Sequence, residues 1–369
     1  MGSLFEYISW RGDISLADVP TTPVDTLIFS LLSYVDFTGI VPQNTEQAVR
    51  LGDAIEQWLT APHVEKTAFE RNHTLLLRAV KDTVRFGDLP VTAARKIHDR
   101  TAGIQFGALA FLLPGQTVFI AFEGTDDSLV GWKEDLRMSY ECPVPGHLKA
   151  AEYTFEIANA FPLRRLLLGG HSKGGNLALY AAVKGDRSYR HRIAALYNHD
   201  GPGFCDDTVN TPTYREMQPR IVTYLPASSI VAVLLEHDNN YKIVKSSNKG
   251  ILQHDGYSWE VQGGNFVRSE ERSPLGKKTE AVIARFLRET TPEHRRQFVE
   301  TLFQLLEASE EDSVTGLGKQ KSLRNILRAY TGLAPEVREM LSQTVSKLNQ
   351  VRRTVTREQR DAIDEKTDA

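Results

Sequence analysis

Apolar positions recur along this chain in two rhythms, and the switches between them mark three zones. From the N-terminus to about residue 75 the rhythm is helical. Pro20 and Pro23 break the entry to an apolar run from Leu27 to Val35. There Thr22 can cap a helix and Pro23 can take its first turn. Ser30, Ser33 and Tyr34 interrupt the run, which is too short to span a bilayer and reads as a buried helix. A further periodic run covers Ala48 to Leu59.

From about residue 76 to 270, strand and helix patterns alternate. Residues 104–111 and 117–122 read as strands joined at the turn Pro114-Gly115-Gln116, the signature of a hairpin. Helix patterns cover Leu148 to Ala160 and Asn176 to Lys184. Short apolar runs at Arg165–Gly169, Ala194–Asn198 and Arg220–Leu225 read as buried strands. Such alternation predicts an α/β fold with a mostly parallel central sheet covered on both faces. The third zone begins near Glu270. Thr291-Pro292-Glu293 opens a helix whose Phe298, Leu302 and Leu305 keep helical spacing, another helix covers Lys321 to Tyr330, and Pro335 opens one running to about Val351. The polar stretch from Arg352 to Ala369 is expected to fray. The division expected is therefore residues 1–270 as an α/β unit and 271–369 as a helical C-terminal extension.

Composition narrows the class without naming a function. Apolar residues are 41% of the 369 and charged residues 25%, ordinary for a globular protein. A net charge of −3 gives no electrostatic case for nucleic acid or an anionic membrane. Cys142 and Cys205 form no metal-ligand pattern and are too few for a disulfide scaffold, so two reduced thiols in a cytoplasmic protein are expected. Met1 to Trp10 lacks the charged and apolar regions of a secretory signal. No transmembrane segment, cofactor or metal site is expected.

The chemistry concentrates on Ser172. The apolar strand Leu166-Leu167-Leu168 ends in Gly169-Gly170, then His171-Ser172-Lys173-Gly174-Gly175 leads into a helix. G-x-S-x-G between a strand and a helix is the setting of a nucleophile elbow, where a serine sits on a sharp turn and the helix N-terminus faces a developing oxyanion. An ordinary serine in a glycine-rich turn is the bland alternative. The strand 117–122 runs into Glu123-Gly124-Thr125-Asp126-Asp127. This places oxyanion donors at the N–H of Lys173 and at the N–H, with or without the hydroxyl, of Thr125; a plain turn capped by Asp126 is the alternative.

A serine needs a base and the base needs an acid. Chain order in this fold is serine, acid, histidine. Of the later histidines, His191 sits in an arginine-rich stretch, His294 in the C-terminal zone, and His199 and His237 directly before candidate acids. His254, on the polar turn Gln253-His254-Asp255-Gly256, fits best as base. Asp200 closes a strand within Asn198-His199-Asp200-Gly201-Pro202-Gly203-Phe204, on the sheet edge expected for Ser172, and is the first choice of acid. Asp238 is the alternative acid. Lys173 is expected to point outward into solvent.

These residues resemble a known group. Phe122-Glu123-Gly124-Thr125-Asp126, Trp132, Asp135 and Gly170 to Ala178 are similar to the class 3 lipases. The stretches Tyr7 to Asp13, Gly131 to Asp135 and Asn198 to Phe204 resemble more closely a bacterial lipase-like family, the Mbeg-like group, over about residues 5 to 262. The resemblance implies an α/β-hydrolase with Ser172 as nucleophile and Thr125 and Lys173 at the oxyanion. It also exposes departures. Class 3 lipases usually carry Arg where this chain has Glu123 and an apolar residue where it has Lys173. Their acid lies in an Asp-x-Val-Pro run, and the matching Pro226-Ala227-Ser228-Ser229-Ile230-Val231 has serine instead. That loss favours Asp200, whose Asp-Gly-Pro-Gly-Phe setting is similar to that of pancreatic-type lipases. The expected activity is hydrolysis of a small-molecule or lipid ester through an acyl-enzyme on Ser172. A non-catalytic binding or scaffold protein and a serine peptidase on the same fold are the other readings. The C-terminal helices could cover the site, contact a partner or join a second copy.

Overall fold

The computed structural model describes residues 2–62, 65 and 67–367. Four helices come first: α1 (Leu4–Arg11), α2 (Pro23–Leu32), α3 (Leu51–Thr60) and α4 (Ala68–Val80). Thr22 caps α2 through a reciprocal bond with Asp25, with Pro23 in the first turn, as the sequence predicts. Asp25 is itself buried against Arg85 at 2.5 Å, which fixes the helix in the core.

Among the described residues eight strands form one sheet in simple chain order: β1 (Val49–Arg50), β2 (Pro90–Asp99), β3 (Ile104–Leu113), β4 (Thr117–Phe122), β5 (Arg165–His171), β6 (Ile193–His199), β7 (Ile221–Pro226) and β8 (Tyr241–Val244). Strands β1 to β4 pair antiparallel, and β4 to β8 parallel. The sheet is thus mixed at one side and parallel where the glycine motif lies. The hairpin expected at Pro114-Gly115-Gln116 joins β3 to β4. Strands β2 and β8 had no strand signal strong enough to name. In β2 the register slips between Thr92 and Arg95, and this irregularity breaks the two-residue alternation.

Alternation in the central strands sorts the core onto two faces. Phe119 and Ala121 of β4, with Leu109, Phe111 and Leu113 of β3, pack under the N-terminal helices and Trp259. Val118, Ile120 and Phe122, with Phe106, Ala108 and Ala110, pack on the other face against α6 (Pro145–Ala160) and α7 (Lys173–Lys184). α5 (Leu129–Arg137) precedes α6 in the chain, and α8 (Arg187–Arg190) and α9 (Pro212–Met217) follow α7.

Beyond the sheet lie α10 (Pro274–Arg288), α11 (Pro292–Glu307), α12 (Gln320–Gly332) and α13 (Pro335–Thr367). The tail does not fray at Arg352. Val351 and Val355 are buried against Val282 of α10, and that contact carries α13 on to Thr367. Val299 and Phe303 of α11 pack against Leu129 of α5 and Tyr140 just after it. Cys142 and Cys205 are both free.

Candidate active site

Strand register brings the chemistry to one edge of the sheet. His171 pairs with His199 across β5 and β6, and His199 pairs with Tyr224 across β6 and β7. The residues that follow these strand ends therefore meet. Ser172 is one of them, at φ 58° and ψ −133° between β5 and α7. A serine held there is strained by roughly 1–3 kcal/mol, and the surroundings must enforce it. The backbone does so: Ser172 N donates to His199 O at 3.0 Å, and Gly175 N donates to Ser172 O at 2.9 Å. The turn also requires its glycines. A Cβ on Gly170 would lie 2.2 Å from the Gly174 carbonyl carbon, and one on Gly174 would lie 2.1 Å from Phe122 O. Ser172 is 7% exposed.

Asp200 follows β6 with φ at 57°, its N–H donating to Tyr224 O at 2.8 Å. Its carboxylate is buried, and both oxygens are engaged. Oδ2 accepts from His254 Nδ1 at 2.7 Å, and Oδ1 accepts the hydroxyl of Ser229. Ser229 lies in the stretch 226–231, where the sequence has serine in place of the class 3 acid. The loop after β7 thus supplies a donor to the carboxylate that comes from the end of β6. The other candidate, Asp238, lies elsewhere, accepting from Gln218 Nε2 at 2.7 Å and Asn240 N at 3.0 Å.

His254 ends a short 3-10 turn, Gly250–His254. The turn is fastened by Trp259 Nε1 donating to Gln253 O at 3.0 Å and by Ser228 N donating to Gln253 Oε1 at 2.8 Å. A further fastening comes from the elbow itself. His171 Nε2 donates to the His254 carbonyl at 2.8 Å, and the two rings lie 4.7 Å apart. Because Nε2 carries that proton, Nδ1 is the acceptor, and it takes the Tyr34 hydroxyl at 3.1 Å. Burial, and then repulsion from His254, holds the His171 pKa well below the ordinary histidine value, so this ring stays neutral. With Nδ1 of His254 donating to Asp200, its Nε2 is left as the basic nitrogen.

The remaining histidines do other work. His199 is buried with its Nε2 3.1 Å from Thr26 Oγ1, and burial pushes its pKa down to about 3. His294 bonds Thr344 at 2.8 Å, His237 bonds the Leu235 carbonyl at 3.1 Å, and His191 is exposed.

On the oxyanion side, Thr125 follows β4 as expected, but its hydroxyl donates to Asp135 on α5. Its N–H is the group left over. Burial raises Asp135 to about 6, against the pull of Lys173. Lys173 corrects the sequence expectation most sharply. It does not point into solvent; its side chain is fully buried and all three protons are used. Nζ donates to Glu134 Oε2 at 2.9 Å, Gln105 O at 2.8 Å and Gln105 Oε1 at 2.5 Å. Burial opposes its charge, yet Glu134 and Asp135 outweigh that and raise its pKa. Glu134 also accepts from Gly146 N at 2.7 Å, so one carboxylate ties α5 to α6 and α7. Glu123, the other departure from the lipase pattern, is buried against Lys96 of β2. Burial raises it to about 7 despite that lysine.

Sequence reasoning missed Tyr34, Gln105, Lys96 and Glu134. Tyr34 comes from the turn after α2, and Gln105 and Lys96 from β3 and β2, far away in the chain with no local pattern to mark them. Glu134 had a signal: it lies in the same Gly131 to Asp135 run that carried the family resemblance.

The mostly parallel sheet, the strained strand–turn–helix at Ser172 and the facing strand ends define an α/β-hydrolase fold. The Mbeg1-like family profile matches residues 80–304, more than half of the chain, and the chain belongs to that family. No curated protein matches it. Among solved structures, it is similar to the native Rhizomucor miehei lipase–propeptide complex, with 17% identity, a TM-score of 0.34, and coverage of 46% of this chain and 58% of that one. A deletion mutant of the same lipase complex gives 16% identity and a TM-score of 0.36 over 52% of this chain and 70% of that one. A fungal lipase–inhibitor complex gives 15% and 0.30 over 46% and 68%. The chain thus spans little more than half the length of the first of these. Among the described residues no group of three or more His, Cys, Asp or Glu side chains could hold a metal ion. Among them, too, no helix is long and apolar enough to cross a membrane.

Proposed function

We propose that this protein is a serine ester hydrolase of the lipase/esterase type. The observation that carries the reading is the buried Asp200 bonded at 2.7 Å to His254 Nδ1, on the sheet edge where Ser172 sits in its strained turn. In the reaction, His254 Nε2 takes the proton from Ser172 Oγ as that oxygen attacks the ester carbonyl. The N–H groups of Lys173 and Thr125 receive the oxyanion. Lys173 opens α7, so its N–H has no acceptor within the helix. The protonated His254 then delivers its proton to the departing alcohol. A water attacks the acyl-enzyme with His254 again as base, releasing the acid and Ser172. Asp200 holds the imidazole in the productive tautomer and balances its charge.

Labelling with a fluorophosphonate tests this. The wild type should label and Ser172→Ala should not. A folded wild-type sample that stays unlabelled would sink the enzyme reading in favour of a binding or scaffold protein, the alternative that the near-complete burial of Ser172 keeps open.

A further inference from the structure

Helix α12 is basic and carries apolar residues on its exposed side. Its 13 residues, Gln320–Gly332, include Lys321, Arg324 and Arg328 and no acid. At 3.6 residues per turn, Leu323, Leu327 and Tyr330 fall on one stripe, and Lys321, Arg324 and Arg328 fall on the stripe beside it. The apolar stripe is not packed. Leu323 is 55% exposed, Leu327 63% and Tyr330 37%, and the one buried residue of the helix is Ser322. Lys321 is engaged by Glu310, but among the described residues no acidic side chain pairs with Arg324 or Arg328. An amphipathic helix of one charge sign, lying open, matches a surface that is apolar beneath and negative above.

We propose that α12 docks this protein on an anionic phospholipid bilayer. Leu323, Leu327 and Tyr330 enter the boundary between headgroups and acyl chains, and Arg324 and Arg328 lie among the phosphates. The net charge of −3 conceals this, because it averages one basic helix over an otherwise acidic chain. The helix is also tied to the candidate active site. Ser322 Oγ donates to Glu311 at 3.1 Å. Just after Glu311, Asp312 O accepts from Leu129 N at 2.9 Å and Val314 N donates to Asp127 O at 2.9 Å. These bonds hold the loop that begins at Thr125. The exposed face of α12 would thus meet the membrane while its buried face, through Ser322, stays bonded to the segment that holds this loop. The docking itself does not depend on Ser172 being catalytic.

Vesicle flotation of the full chain tests the proposal. Wild type should float with vesicles of equal parts phosphatidylglycerol and phosphatidylcholine, remain behind with phosphatidylcholine alone, and lose binding as salt is raised. Arg324→Gln/Arg328→Gln should weaken partitioning about 30-fold, since each cation near an anionic leaflet contributes about five-fold. Leu323→Ser/Leu327→Ser should abolish flotation. Both variants should keep wild-type circular dichroism, fluorophosphonate labelling and hydrolysis of a soluble short-chain ester. Failure of the hydrolase reading would show in the latter assays and leave flotation intact. The proposal is overturned if wild type does not float, if it floats equally with both vesicles, or if both variants float like wild type. It is likewise overturned if the wild type is a dimer that the leucine variant converts to a monomer, because a second copy would then occupy the face.

Discussion

Moving the acid from one strand end to the next offers a direct test of how the site is built. Asp200→Asn removes the carboxylate that accepts from His254 Nδ1 at 2.7 Å. The amide can present either end. If its oxygen faces the ring, the charge-assisted bond becomes a neutral one and the imidazolium formed during attack loses about 1.5–3 kcal/mol. If its NH2 faces the ring, the proton is forced onto Nε2 and the base is lost. Triads in other hydrolases lose about ten-thousand-fold in kcat from this change, about 5 kcal/mol at the transition state. The same order is expected here, because Asp200 is wholly buried and no water can substitute. Ser229→Asp supplies the rescue. Ser229 Oγ already hydrogen-bonds Asp200 Oδ1, so a carboxylate at 229 starts within one bond length of the pocket. Asp200→Asn/Ser229→Asp should regain at least about ten-fold over Asp200→Asn, roughly 1.4 kcal/mol. Hydrolysis of p-nitrophenyl esters of increasing chain length, with kcat and KM separated, is the assay. Full activity in Asp200→Asn would refute Asp200 as the acid and return Asp238 to consideration. No rescue in the double variant would refute the claim that both strand ends reach one carboxylate pocket.

Two further outcomes follow from buried charge. Lys173→Met and Glu134→Gln should each cost about 3–5 kcal/mol by stranding a buried partner, and the double variant should cost less than their sum by at least about 2 kcal/mol; additive urea midpoints would show that the pair is not coupled. Acid should destabilise the fold, because His73 and His199 are held at about 3 and His147 at about 4 by burial. Their stabilising effect is fully present above the unfolded value of about 6.5 and is lost as pH falls, by roughly 3 kcal/mol each on reaching about pH 4.5. Glu123 and Asp135, raised to about 7 and about 6, work in the opposite sense. They favour the fold below the ordinary carboxylate range and lose that effect as pH rises through their folded values. With three histidines of this kind and His171 depressed as well, the net urea midpoint should fall between about pH 6.5 and 4.5, and less steeply in His199→Gln. A midpoint that rose over that range would contradict the assignment.

What could be read from the sequence was whatever local pattern encodes. The elbow depends on residues within one turn of Ser172, so its glycines, preceding strand and following helix were all visible together. The hairpin at Pro114 and the cap at Thr22 were legible for the same reason. The neighbourhood of Asp200 and His254 needed one further idea, that consecutive parallel strands end on the same edge, and the observed register of β5, β6 and β7 follows that rule. Lys173 could not be read this way. Lysine is almost always exposed unless it is paired, and its partners Gln105 and Glu134 lie 68 and 39 positions away. Their separation carries no periodicity. The C-terminal tail was misread for a similar reason: Val355 in a polar stretch looks like noise until Val282 is placed against it and Val351.

The boundary near residue 270 also takes on a different meaning once bonds are traced across it. Composition changes there, but the loops of the candidate site do not respect the change. Arg272 Nη2 donates to Ser229 O at 2.6 Å, Ser273 N donates to Ala227 O at 2.8 Å, and the Ser228 and Ser273 hydroxyls lie 2.7 Å apart. These bonds hold the very segment in which serine replaces the expected acid. On the opposite side of the site, Asp312 and Val314 hold the loop that follows Thr125. Lys133 of the intervening α5 pairs with Glu300 of α11 at 3.1 Å. The C-terminal region therefore braces both walls of the candidate site, the side of Asp200 through residues 272–273 and the side of Thr125 through residues 312–315. A surface added merely for a partner would need neither contact. Bracing of this kind suits a site whose proposed nucleophile, Ser172, is held in a strained backbone conformation, because the strain persists only while the surrounding loops are fixed.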